Sequence, residues 1–141
     1  MTENYLIIEI PGEPVAKGRP RFCRNGHTFT PQKTVDHEIR VNDAARKAVK
    51  DKGWKMVPQG SPVALEMVFT MAMPKGWSEK EREARNQSAC AKKIDLDNIC
   101  KLACDGLNNS GIWHDDCQVT AIHAEKVWGD TGHTIITVVE L

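Results

Sequence analysis

The chain has 141 residues, with 19 Lys and Arg against 19 Asp and Glu and a formal net charge of zero. That is one domain's worth, residues 1–141 as a single unit, and it excludes a second sizeable core and a uniformly basic nucleic-acid binder. Five cysteines behind no export signal argue for reduced thiols, and the apolar run at residues 5–10 is too short for a signal peptide or a membrane span, so we expect a soluble, cytoplasmic protein.

Residues 5–10 alternate as a first strand, which Pro11 and Gly12 end. The loop over residues 15–31 carries Lys17, Arg19, Arg21 and Arg24 and no acid. Glycine and proline keep it non-helical, so it is either a solvated loop or one that offers guanidinium forks and backbone N–H groups to phosphates. Phe22 and Phe29 are expected to pin it to the core. Thr34 opens a helix that ends before Gly53, with acids near its start, Val35, Ile39, Ala45, Ala48 and Val49 on its apolar side and lysines in its last turns. Its role is to cover a sheet. His37 is expected on its surface.

After the loop marked by Pro58, Gly60 and Pro62, residues 63–73 alternate as a long central strand. Residues 74–93 are dense in mixed charge and read as a mobile, partly helical arm. Residues 119–127 and 134–139 are two further strands, and the GDTG between them favours an antiparallel hairpin. The expected fold is therefore α+β, in the order β-α-β-α-β-β, with a mixed sheet covered by helices.

The chemistry is concentrated in residues 92–119. Asp95 and Asp97, two apart, point the same way if they end a strand, with Ile94 and Leu96 facing the core. Asp97 would also cap the helix that follows, whose apolar side is Ile99, Leu102, Ala103, Gly106 and Leu107. Asp97, Lys101, Asp105 and Asn108 lie on its other side, about one turn apart. The helix stops around residues 108–111, with Gly111 or an asparagine suited to the left-handed conformation, and the chain returns with Asp115 and Asp116. Three carboxylates and a lysine then converge. Hard oxygen donors of this kind suit Mg²⁺, with Mn²⁺ as a substitute, and a phosphodiester substrate. The bland alternative is a helix cap and a solvated turn. A competing zinc site from Cys100, Cys104, His114 and Cys117 is disfavoured, because structural zinc uses close cysteine pairs in turns. Trp113 either stacks on opened bases or packs the turn onto the sheet.

The string D-L-D-N-x-x-K-x-x-x-D-x-L-N over residues 95–108, followed by W-x-D-D-x-Q-V over residues 113–119 and preceded by IPGEPVAKGRPRF near the N-terminus, resembles the RusA family of Holliday-junction resolvases. These are small Mg²⁺-dependent endodeoxyribonucleases of bacteria and their phages. One departure is Ile94, where many relatives carry proline. The resemblance implies metal ligation by Asp95, Asp97 and Asp116, with Lys101 as the catalytic lysine; Asp105 and Asp115 are expected in support behind them, Asp105 alternatively as the partner of Lys101. Relatives share a similar basic stretch, so phosphate contact by Lys17, Arg19, Arg21 and Arg24 is expected, with no small-molecule cofactor and no membrane. The expected partner is a four-way DNA junction, whose two equivalent strands call for a two-fold homodimer. The alternatives are a metal nuclease for flaps or other branched DNA, and a branched-DNA-binding protein without catalysis.

Overall fold

Alternation of apolar and polar residues builds the first strand, β1 (Tyr5–Pro11), with Leu6, Ile8 and Ile10 buried and their neighbours exposed. The computed structural model describes residues 4–18 and 21–141. Arg19 lies outside the described residues, and Arg21 is placed by its backbone alone. The basic loop contains a small hairpin, β2 (Arg21–Phe22) with β3 (Thr28–Phe29). Phe22 is 80% exposed and so does not pin the loop to the core. The side chain of Phe29, also expected to pin it, lies outside the described residues.

Helix α1 (Gln32–Lys52) starts two residues before the expected Thr34, behind Pro31, which is extended there. Gly53 ends it at φ 66°, with its N–H on the carbonyls of Val49 and Lys50. His37 is buried on this helix, contrary to the expected surface position. Burial, and then the charges of Arg40 and Lys33, hold its imidazole below the ordinary range. The long strand β4 (Val63–Ala72), the short helix α2 (Glu79–Arg85), helix α3 (Leu96–Leu107), β5 (Val119–Gly129) and β6 (His133–Glu140) follow. The hairpin and α2 are additions to the expected order.

The main sheet runs β1-β6-β4-β5, with β4 parallel to β5 and antiparallel to β6. The expected β5–β6 hairpin therefore does not form, because β4 lies between them. Two strand spacings are about 10 Å, which the three-residue connection across the end of β4 can bridge. GDTG serves a different purpose from a hairpin turn. The Glu13 carboxylate accepts the Ala72 N–H at 3.1 and 3.3 Å, and a Cβ on Gly132 would lie 2.7 Å from the Glu13 Cα. The second glycine is there to let Glu13 in. β4 takes the centre because it is apolar along its core face, with Val63, Leu65, Met67, Phe69 and Met71 all buried.

Helices α1 and α3 pack together, and Val41 and Ala45 of one join Ile99, Leu102 and Leu107 of the other in the buried core. Gly106 makes the approach possible: a Cβ there would sit 2.7 Å from the Val41 Cβ and 3.1 Å from the Glu38 carbonyl. Asn42 donates to the carbonyls of Gly106 (3.0 Å) and Asn108 (2.9 Å), and Arg46 to that of Asn109 (3.0 Å), so α1 satisfies the orphan carbonyls at the end of α3.

The charged arm is partly helical, as expected, and its far end is fastened. Gln87 donates to Trp128 O (2.9 Å), Trp128 to Ser88 O (3.0 Å) and Cys90 to Lys126 O (3.0 Å), which lays residues 87–90 along the outer edge of β5. Trp77 meets Trp128 edge-on, with ring centroids 5.0 Å apart.

Candidate active site

The acidic residues stand on α3 and on the turn that follows it. The first pair is not at a strand end. Residues 91–94 are irregular, and Asp95 takes the N-cap position of α3 (φ −73°, ψ 123°), while Asp97 sits in the first turn. An N-terminal pair on a helix still faces the positive end of its dipole. Asp95 makes no capping bond to the backbone; its Oδ2 accepts instead from Asn98 Nδ2 at 3.3 Å. The lead-in is held by Lys126 of β5, whose ammonium donates to the carbonyls of Ile94 (2.7 Å) and Lys92 (3.0 Å). Ile94 and Leu96 pack against the core as expected.

The helix itself follows the sequence reading. Ile99, Leu102, Ala103, Gly106 and Leu107 are its buried residues, so Asp97 and Lys101 are turned outward and exposed. Asn109 and Gly111 both adopt positive φ after it, at 62° and 95°, which lets the chain reverse.

The return turn is built on three side chains from the W-x-D-D-x-Q-V string. Buried Trp113 donates its Nε1–H to Asn108 Oδ1 (2.9 Å), and Asn108 Nδ2 donates to Asp116 Oδ2 (3.1 Å). Trp113 therefore packs and orients; stacking on bases is closed to a ring only 2% exposed. Gln118, also buried, accepts the N–H groups of His114 (2.8 Å) and Asp115 (3.0 Å) and donates to the carbonyls of Pro58 and Ser61. Asp115 caps the 3-10 turn Asp116–Gln118 in a reciprocal box with Gln118. The Cys117 backbone N–H, with help from Asp116, holds the Asp115 carboxyl below its ordinary range. Of the two adjacent aspartates, Asp115 is thus the structural one and Asp116 is presented. The bonds that Asn108 and Lys126 make around the acidic residues are not foreseen in the sequence: Asn108 shows there only as a member of the motif on the outward helix face, and Lys126 gives no signal.

Asp116 reaches the far end of the α3 face. Burial, then Cys100, Asp105 and Asp116, push the Cys104 thiol up to about 11, and burial with Asp97 raises that of Cys100. Cys104 lies seven residues from Asp97, about 10 Å along the axis at 1.5 Å per residue. Among the described residues no three His, Cys, Asp or Glu side chains stand together closely enough to hold an ion. Neither a zinc cluster nor a closed carboxylate cage is present in that sense. The donor chemistry fits a hard cation: Asp95, Asp97 and Asp116 offer oxygen only, and none of them is in an ion pair among the described residues.

Two lysines differ from expectation. Asp105, the expected support for the site, is paired at 3.1 Å with Lys17 rather than with Lys101, and Lys17 also bridges to Glu38. Lys101 has no ion-pair partner among the described residues. Arg24 is exposed on the hairpin loop beside Phe22.

The sequence model of the family described as Endodeoxyribonuclease RusA matches residues 11–139, nearly the whole chain. The chain belongs to the RusA endodeoxyribonuclease family. A Bacillus subtilis (strain 168) protein described as uncharacterized protein YqaN is 30% identical over 134 residues, covering 90% of each chain. The RusA match takes in α1, β4, α3 and β5 entire, so it spans the residues of both the helix and the return turn that carry the carboxylates. No helix among the described residues is long and apolar enough to cross a membrane.

Proposed function

We propose that this RusA-family nuclease is a Mg²⁺-dependent, structure-selective endodeoxyribonuclease that resolves four-way (Holliday) junctions by paired nicks, acting as a homodimer in the cytoplasm of a bacterium or phage-infected cell. The observation that carries the reading is one helix face: Asp97 and Lys101, which has no ion pair among the described residues, stand outward on α3, and Asn108 at the end of that helix holds Asp116. Asp95, Asp97 and Asp116 would hold the ion. Ligation asks Asp95 and Asp97 to turn toward Asp116, and both are exposed. A bound Mg²⁺ supplies an activated water and stabilises the leaving oxygen.

The chain's own residues do the rest. Lys101 brings its ammonium to the phosphoryl oxygens, where charge grows in the transition state. The basic residues Arg19, Arg21 and Arg24, the last of them exposed, neutralise backbone phosphates. Phe22, exposed on the small hairpin, is suited to stack on a base freed where strands exchange. A junction presents two equivalent strands, and a two-fold dimer presents one site to each.

The test is cleavage of a synthetic mobile junction with Mg²⁺, beside matched flap and linear duplexes, with the nicks mapped and Lys101→Ala run in parallel. Symmetric paired nicks on the junction alone, slowed on the order of 100-fold by the substitution at saturating DNA, are expected. Preferential flap cutting would overturn the junction reading. A wild-type rate in Lys101→Ala would overturn the role of the lysine.

A further inference from the structure

Lys17 reads in the sequence as a phosphate contact, and the structure commits it elsewhere. Its backbone N–H donates to the carbonyl of Asn98 in α3 at 2.9 Å, and its ammonium reaches Asp105 of α3 at 3.1 Å and Glu38 of α1. Asn98 and Asp105 are seven residues apart on the helix, so the lysine lies along two turns of it. Lys101 falls between them, three residues after Asn98 and four before Asp105, where i,i+3 and i,i+4 neighbours share a face. The Lys17, Glu38 and Asp105 side chains are 24%, 26% and 34% exposed, so these charges are partly screened from water and attract more strongly than surface charges.

Asp105 stands at i+4 from Lys101 on the same helix and is half-buried, whereas Asp97 at i−4 is exposed. With Lys17 in place that carboxylate is already neutralised, and Lys101 stands without an ion pair among the described residues. Burial works against charge on Lys17, but its bonds to Glu38 and Asp105 outweigh this and hold its ammonium above the ordinary range. It therefore stays charged at any working pH.

We propose that Lys17 is a positioning residue for the reaction: by occupying Asp105 it keeps the Lys101 ammonium free for the scissile phosphate. The inference rests on the role given to Lys101 above. Without the Lys17 charge, half-buried Asp105 is left to Lys101 as the nearest cation on its own helix, and the catalytic charge is drawn off the phosphate. The loop keeps its attachment, because the Lys17 N–H bond to Asn98 and the Gly18 N–H bond to Thr34 Oγ1 (3.1 Å) do not depend on the lysine side chain.

The experiment is single-turnover cleavage of saturating junction DNA by wild type, Lys17→Met, Lys17→Arg, the double variant Lys17→Met/Asp105→Asn, and Lys101→Ala. DNA affinity and its salt dependence are measured for each. Lys17→Met is expected to lose about tenfold or more in rate at saturation, as when a charge-stabilising donor is misplaced, with affinity and salt slope unchanged. Lys17→Arg keeps the rate. The double variant recovers it, because the acid that captured Lys101 is gone; a merely structural lysine would give a double variant no better than the single. If Lys17→Met does not fold, Lys17→Gln is read in its place, with the same expected loss and the same recovery on adding Asp105→Asn. A wild-type rate in the Lys17 variant, a double variant as slow as the single, or a loss confined to affinity and salt slope each overturns the proposal. If Lys101→Ala itself cuts at the wild-type rate, it is the reading of Lys101 that fails; if Lys101→Ala is slow and Lys17→Met is not, only this inference does.

Discussion

Replacing Asn108 by alanine removes both bonds of the Trp113–Asn108–Asp116 chain at once. Trp113 is 2% exposed, so an indole N–H without its 2.9 Å acceptor costs about 1–3 kcal/mol. The 3.1 Å bond to the half-buried Asp116 adds about 0.5–1 kcal/mol once solvent screening is allowed for. A total of about 1.5–4 kcal/mol lowers the melting temperature of a domain this size by about 5–16 °C. Cleavage at saturating DNA should fall further than stability explains, because Asp116 loses the group that aims it. Asn108→Asp separates the two effects. It keeps an acceptor for Trp113 and sets a like charge against Asp116, so it should melt closer to wild type than the alanine variant and still cut poorly. The assays are thermal denaturation by circular dichroism and single-turnover cleavage of a four-way junction. An alanine variant that melts within about 2 °C of wild type would refute the energetic argument. A fully active Asn108→Asp would refute the aiming role.

Three further outcomes are expected. Asp97→Asn should slow cutting by about 100-fold or more while binding stays equal or tightens, because the lost carboxylate repels phosphate when no cation is bound; loss of folding instead would make Asp97 structural. Gly106→Ala should destabilise the domain by about 1–3 kcal/mol despite alanine's better helix propensity, since the new methyl meets Val41 and the Glu38 carbonyl, and a melting temperature at or above wild type would show that α1 can move aside. The Cys104 thiol is raised from 9.0 to about 11, so between those values the unfolded chain holds fewer protons than the native one and stability falls as pH rises; Cys104→Ala should flatten that alkaline limb, and an unchanged pH profile of the melting temperature would contradict the burial argument.

Periodicity alone makes much of this molecule legible. The alternation in β1 and β4 and the apolar side of α3 are local patterns, and the face each buries follows from geometry within a few residues of chain. For the same reason Asp97 and Lys101 can be set together on the outward face of one helix from spacing alone, and the motif around them points to the RusA family. Choice of partner is a different matter, because it joins groups far apart in sequence and depends on what else competes for each place in the fold. Nothing near GDTG says that β4 will come between β5 and β6, or that Gly132 is small to admit Glu13. Residues 94–97 alternate as a strand would, yet the helix begins at Leu96 and leaves Asp95 at the N-cap position, its carboxylate bonded to Asn98. His37 is buried on α1 and Phe22 is left in solvent, and neither exposure follows from the residues beside them in the chain. Lys17, one cation in a basic run by sequence, became the counter-ion of α3 because folding brought Glu38 and Asp105 to it. Residue types and their local faces were the sequence's to determine; which charge neutralises which was decided only when the helices and the sheet closed on one another.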